Sequence, residues 1–368
     1  MDIRPLVPEW IRTLQPYPPG KPIEELEREL GIAGSIKLAS NENPLGPSPR
    51  ALAAITAALP RLHLYPDGSA FYLRRALAER LRVSAEEILV GNGSNEIIEL
   101  VVRTFLRPRD EAVMADQAFV IYRMVTQAVA AIPRVVPLRA FTHDLEAMAE
   151  AVTPRTRLVF VANPNNPTGT MVGRDAWRAF LRALPPRQLL VVADDAYADY
   201  VEHPEYPDTI TDRGDGSVPV ITLRTFSKLY GLAGLRIGYA VAPAPVIEAM
   251  QRIRQPFNVN ALALVAAQAA LDDAEHVRRT LEVNRQGMTT LTDAFRRMEL
   301  PFVPSVTNFV LVRVGRGLAV YEALLRRGVI VRPMDGYGFP EYIRVTIGLP
   351  EENARFLAAL EDALREVR

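Results

Sequence analysis

Lys228 stands alone among apolar and small residues in Thr225-Phe226-Ser227-Lys228-Leu229-Tyr230-Gly231, directly after the strand-like run Val220-Ile221-Thr222-Leu223. Burial and neighbouring cations lower a lysine's pKa, and the free amine is then nucleophilic towards an aldehyde. Ser227 and Arg236 could offer a hydroxyl and a planar guanidinium to a phosphate. In isolation the segment reads as a surface lysine in a glycine-rich turn. Other parts of the chain change that reading.

Asp194 and Asp195 close the strand-like run Leu189–Ala193. Ligands of open α/β sheets gather at strand carboxyl ends. A carboxylate there could hold a pyridine nitrogen protonated, although a helix N-cap is an equal reading for one of the two. Tyr197 could donate to a ring phenolate oxygen. Asn163-Pro164-Asn165-Asn166-Pro167-Thr168-Gly169 reads as a turn, with an amide fixed between two prolines. Phe119 is a core aromatic, or a ring set over a flat cofactor.

Gly91-Asn92-Gly93-Ser94-Asn95-Glu96 joins a strand to a helix expected from near Asn95, and free amides at a helix start bind phosphate. Glu96 occupies the place of the third glycine of a dinucleotide fingerprint, which argues against a nicotinamide cofactor. Arg332 follows the apolar run Gly328–Val331, and Arg344 sits within Tyr342–Gly348. Arg332 could be a strand-edge charge facing water. An unpaired Arg344 between apolar strand residues would be costly, which makes it the better candidate to grip an anion.

These groups need a scaffold. Ile88–Val90, Arg157–Val161, Leu189–Ala193 and Val220–Leu223 lack alternation and read as buried strands, with helical patterns at Asn95–Leu106 and Arg174–Leu184 between them. That pattern predicts an α/β fold with a mainly parallel sheet. A helical stretch over Ala261–Met298, strands at Asn308–Val314 and Tyr342–Ile347 and a helix from Glu351 predict a smaller α+β unit. The proline-rich start, with a helix at Ile23–Leu30, reads as an arm. The expected division is an arm over 1–36, a large domain over 37–256 and a small domain over 257–368.

Lys plus Arg and Asp plus Glu both number 43, so no charge imbalance points to nucleic acid or an anionic membrane. The absence of cysteine rules out disulfides and thiolate chemistry, and four histidines without a paired spacing argue against a metal site. The longest apolar stretch, Ala261–Leu271, is about half of the ~20 residues a membrane helix needs. With no signal-type core at Met1–Pro5, the expected location is the cytoplasm.

Lys37–Pro49, with Ser40-Asn41-Glu42-Asn43-Pro44, then Tyr65-Pro66-Asp67-Gly68 and the segments above, occur in an order that resembles the fold-type I pyridoxal-phosphate aminotransferases of classes I and II. The arm Pro16–Pro22 is similar to that of the histidinol-phosphate aminotransferase subfamily, and the resemblance covers nearly the whole chain. It implies a large domain with a mainly parallel seven-stranded sheet flanked by helices, a smaller C-terminal α+β domain and a pyridoxal 5'-phosphate cofactor. Carried over by motif, Lys228 would be the Schiff-base lysine and proton shuttle, and Asp194 the partner of the pyridinium nitrogen. Asn166 and Tyr197 would bind the phenolate oxygen, and Phe119 would stack on the ring. Gly93, Ser94, Asn95, Thr225, Ser227 and Arg236 would form the phosphate cup. Asp195 stands where the family usually has Glu, and Phe119 where relatives often have Tyr.

The resemblance also implies a homodimer with shared sites, in which Tyr65 reaches the phosphate of the neighbouring subunit's cofactor. Tyr17 and Asn41 would line the substrate pocket with Arg332 and Arg344. The implied reaction transfers an amino group between small molecules, from histidinol phosphate to 2-oxoglutarate, and guanidinium forks suit both anions. Aromatic amino-acid aminotransferases and a phosphothreonine decarboxylase share much of this pattern. A transcription regulator of the same fold would need a DNA-binding domain and a basic patch, and the sequence offers neither.

Overall fold

A computed structural model describes residues 3–186, 188–214 and 216–367. Its strands, in chain order, are β1 (Ile36–Lys37), β2 (Ile88–Gly91), β3 (Glu111–Ala115), β4 (Ile132–Val136), β5 (Thr156–Ala162), β6 (Leu190–Asp194), β7 (Val220–Thr225), β8 (Gly238–Val241), β9 (Phe302–Val303), β10 (Phe309–Arg313), β11 (Val329–Ile330), β12 (Arg332–Pro333) and β13 (Tyr342–Thr346). Seven of them form one sheet in the order β2-β8-β7-β6-β5-β3-β4. Only β8 runs against its neighbours. The nearly continuous burial of β5, β6 and β7 fits strands covered on both faces, which is why their sequences do not alternate.

This topology determines where chemistry can gather. The carboxyl ends of β5, β6 and β7 lie along one edge of the sheet. Because β8 is antiparallel to both neighbours, its first residue, Gly238, pairs with Gly91 at the end of β2 and with Thr225 at the end of β7. The turn after β2 and the lysine segment after β7 are thereby brought to the same corner. A Cβ on Gly238 would lie 2.8 Å from both the Arg224 carbonyl and the Ser94 amide nitrogen, so only glycine admits this approach.

The second sheet is antiparallel, in the order β12-β13-β10-β9, and β1 pairs in parallel with β11. The expected helix over Ala261–Met298 is two helices, Ala261–Leu271 and Ala274–Arg297, broken where Asp273 accepts from the His276 amide as an N-cap. The helix expected from near Asn95 begins at Gly93 and ends at Phe105.

Core membership runs across the expected boundaries at 36/37 and 256/257. Ala263, Ala266, Ala267 and Ala270 are small enough for their helix to seat on the large-sheet side, in one core with Val90, Phe226 and Tyr239. Leu38 is buried instead with Val310, Val345 and Phe356 of the smaller unit. Among the described residues no helix is long and apolar enough to cross a membrane.

Candidate active site

A cavity of about 300 Å³ opens above the strand ends, between the large sheet, the small sheet and the N-terminal arm. Lys228 projects into it. Its Nζ donates to the Ser40 carbonyl at 3.1 Å and lies 5.7 Å from the centre of the Tyr197 ring. Burial, helped by the charges of Arg344 and Arg236 and opposed by Glu42, pulls its pKa down from 10.5 to about 8. Much of the amine is therefore unprotonated in mildly alkaline solution, as a nucleophilic lysine requires.

Asp194, at the end of β6, lines the same cavity and is 6% exposed. Burial raises its pKa, while the Tyr122 phenol, the Ala196 amide and the charge of Lys228 pull the other way. The two aspartates diverge as neighbours on a strand must. Asp195 is fully buried, accepts from Thr209 Oγ1 at 2.7 Å and pairs with Arg224 at 3.2 Å. Burial pushes it up to about 7. Neither side chain caps the short helix Ala198–Tyr200, whose N-cap is Tyr197.

Tyr197 is buried, and burial pushes its phenol up to about 12, so it remains a proton donor across the neutral range. Asn41 Nδ2 donates to the Tyr197 hydroxyl at 2.8 Å. Asn41 itself is held from the small sheet, its backbone amide donating to Thr346 Oγ1 at 2.9 Å. Arg344, on β13 and 6% exposed, donates through Nη1 to Asn166 Oδ1 and through Nη2 to the Ala39 carbonyl at 2.8 Å. Its buried Nε has no partner among the described residues. Arg332 does not simply face water: it donates to the Pro18 carbonyl at 2.9 Å and lies over the Tyr17 ring at 5.5 Å.

The helix Gly93–Phe105 presents its first turn to the same cavity. Gly93 has φ +78°, and a Cβ there would sit 2.5 Å from Arg236 Nη2. Ser94, Asn95, Thr225, Ser227 and Arg236 line the cavity, a set of amides, hydroxyls and one guanidinium that suits a phosphate. Phe119 also lines it.

A family model described as aminotransferase class I and II matches residues 33–360. The chain is a class I and II aminotransferase. It is 51% identical to histidinol-phosphate aminotransferase 1 of Nitrosococcus oceani, over 97% of this chain and 96% of that one. It is 52% identical to histidinol-phosphate aminotransferase 2 of Pseudomonas aeruginosa, over 99% of both chains. Among solved structures it resembles the histidinol-phosphate aminotransferase of Sinorhizobium meliloti in complex with pyridoxal-5'-phosphate, with a TM-score of 0.89, 28% identity and 98% of both chains covered.

Of the residues that the motifs single out, the aminotransferase brings Lys228, Asp194, Tyr197, Ser94, Asn95, Phe119, Asn166, Thr225, Ser227, Arg236, Tyr17, Asn41, Arg332 and Arg344 to one cavity. Gly93 stands behind Arg236, outside the lining itself. Tyr65 does not line this cavity; it is 83% exposed and stacked on Phe257 with centroids 4.8 Å apart. Sequence reasoning missed Tyr122, whose phenol meets Asp194, and Ser40, whose carbonyl holds Lys228. The only signal for Tyr122 was its place just after Phe119 at the start of the helix Ile121–Ala128.

Proposed function

We propose that the chain transfers the amino group of histidinol phosphate to 2-oxoglutarate with pyridoxal 5'-phosphate held on Lys228, giving imidazole-acetol phosphate and glutamate. The observation that carries this reading is the placement of Lys228 and Asp194 in one cavity, lined as well by a group of phosphate-suited donors and by the buried Arg344. The names of relatives about half identical over nearly the whole chain support the choice of substrate.

The residues fit that cofactor group by group. Asp194 suits a ring nitrogen, Tyr197 and Asn166 a phenolate oxygen, Lys228 an aldehyde, and the Gly93–Asn95 turn with Thr225, Ser227 and Arg236 a phosphate. The unpartnered Nε of Arg344 leaves donor capacity in this buried site. Bound there, pyridoxal phosphate supplies an electron sink for negative charge at the substrate's Cα.

The protein's own groups do the rest. Lys228 Nζ, with its lowered basicity, takes the proton from Cα and returns it during the exchange. Asp194 faces the ring nitrogen as its hydrogen-bond partner, and Tyr197, its phenol pushed up to about 12, keeps its proton for the phenolate oxygen. Arg344 grips the α-carboxylate of glutamate or the phosphate ester of histidinol phosphate, and Arg332, anchored through Nη2 on the Pro18 carbonyl, offers its remaining donors to the same anion. Phe119 and Tyr17 cover the ring and the substrate, limiting water.

The same reading makes the enzyme a homodimer. Leu52, Leu59, Leu62, Leu64, Phe71, Tyr72 and Phe257 are exposed apolar side chains, and a second copy would cover them and receive Tyr65 at its phosphate. It also divides the chain into an arm, a cofactor-binding part that includes Ala261–Leu271, and a smaller part that takes in Ile36–Leu38. Its location would be the cytoplasm. The test is Lys228→Ala: turnover and the visible absorbance of lysine-bound cofactor should both vanish. Retention of either rejects the assignment.

A further inference from the structure

Asp194 has a partner that the proposed chemistry does not call for. Its Oδ1 accepts from the Ala196 amide at 3.2 Å, and its Oδ2 accepts from the Tyr122 hydroxyl at 2.5 Å. Carboxylate oxygens each accept about two hydrogen bonds, so these contacts leave room for a ring N–H. Tyr122 reaches Asp194 from a different element, the helix Ile121–Ala128, and is fully buried.

The ring of Tyr122 is clamped on its own account. It stacks on Phe160 of β5 with centroids 4.8 Å apart and planes 8° apart, and Phe119 meets it edge-on at 5.7 Å. Its hydroxyl therefore has a set position before any ligand arrives. Burial and the charge of Asp194 push the phenol's pKa well above its usual value, so the group donates at every working pH. The terminal torsion of an aspartate is broad, and two donors from separate elements select one plane for the carboxylate.

We infer that Tyr122 is a positioning residue for the cofactor-facing carboxylate: its phenol holds the plane of Asp194 and draws off part of its negative charge. This rests on the function proposed above and adds to it a control on how strongly Asp194 acts on the ring nitrogen. The same clamp sets Phe119, so one side chain braces both the ring's nitrogen partner and the aromatic wall beside it. Besides Tyr122, the titratable groups coupled to Asp194 are Lys228, Tyr197 and the neighbouring Asp195.

The test is a pH titration of the visible absorbance of holoenzyme, comparing wild type with Tyr122→Phe. The substitution keeps the stacking on Phe160 and removes only the hydroxyl. Without the donor, Asp194 carries more charge and favours the protonated form of the lysine-bound nitrogen, so the midpoint should rise by about half a pH unit. kcat should fall about tenfold, the scale of losing an outer-shell partner, with KM for the donor nearly unchanged. In an Asp194→Asn background the same substitution should not move the midpoint further.

An unchanged midpoint, or an equal rise in the Asp194→Asn background, overturns the inference and leaves Tyr122 a packing residue. Should Tyr122→Phe fail to fold, 3-fluorotyrosine at position 122 is a stronger donor and should lower the midpoint; no change or a rise counts against the inference. A wild-type protein that develops no visible absorbance with pyridoxal phosphate overturns both this inference and the proposed function. Absorbance with an unmoved midpoint overturns this one alone.

Discussion

The guanidinium of Arg344 joins the two sheets through Asn166: Nη1 on β13 donates to Asn166 Oδ1 in the loop after β5, while Nη2 holds the Ala39 carbonyl at 2.8 Å. One side chain thus fastens the small sheet, the segment that follows β1 and the roof of the cavity. The Phe309 ring lies beneath it at 5.1 Å.

Arg344→Lys keeps the charge and loses the fork. An ammonium is a point charge and cannot hold two acceptors and an anion in one plane. Steady-state kinetics should show kcat/KM for the anionic donor lowered on the order of 100-fold, mostly through KM. A variant within twofold of wild type would remove Arg344 from the substrate site.

Gly93→Ala should weaken cofactor binding. The residue has φ +78°, and its new Cβ would lie 2.5 Å from Arg236 Nη2. The left-handed backbone alone costs an alanine about 1–2 kcal/mol, and the displaced guanidinium adds to that. Titration of the cofactor-free protein with pyridoxal phosphate should give a Kd raised tenfold or more, by the conversion of about 1.4 kcal/mol per decade.

Lys228 makes the cofactor-free enzyme pH-sensitive in a defined window. Its folded pKa of about 8 lies below the ordinary 10.5. Between those values the unfolded chain binds the extra proton, so this lysine's destabilising effect is full below pH 8 and fades as pH rises towards 10.5. Thermal melts should show cofactor-free Lys228→Met above wild type at pH 7, with that advantage shrinking through the window. Capture of the cofactor by wild type should accelerate with a midpoint near 8.

Mixed dimers test the reach of Tyr65. A chain with Lys228→Ala supplies an intact Tyr65, and a chain with Tyr65→Ala supplies an intact Lys228. If Tyr65 serves the neighbouring site, the mixed dimer has one complete site and should show about half of wild-type activity, although both parents are impaired. No recovery on mixing would place Tyr65 in its own chain's site or outside catalysis.

Lys228, Asp194 and the Gly93–Asn95 turn were legible as neighbours in one cavity because each follows a strand whose apolar run is easy to recognise. Tyr122 was not, since a lone tyrosine on a short amphipathic helix reads as core, and its partner is brought near only by the packing of the Ile121–Ala128 helix against the sheet. β3 and β4 were not legible for a related reason: Glu111–Ala115 opens on a buried glutamate held by Arg134 and Arg155, and Ile132–Val136 is a largely exposed edge. The break at Asp272-Asp273 was hidden by continuous helical periodicity, because an N-cap inside such a run looks like any polar surface residue. The alanine-rich helix that follows the expected boundary near 256 seats on the large core, and its small side chains alone do not say which core it joins.

The most direct test of the central claim is a donor panel with 2-oxoglutarate as acceptor, comparing kcat/KM for histidinol phosphate, phenylalanine, tyrosine and phosphothreonine. Histidinol phosphate should exceed the others by about 100-fold or more, since a site built for its anion leaves buried polar groups unpaired with the wrong donor. A higher value for phenylalanine or tyrosine, or release of CO₂ from phosphothreonine, would contradict the assignment.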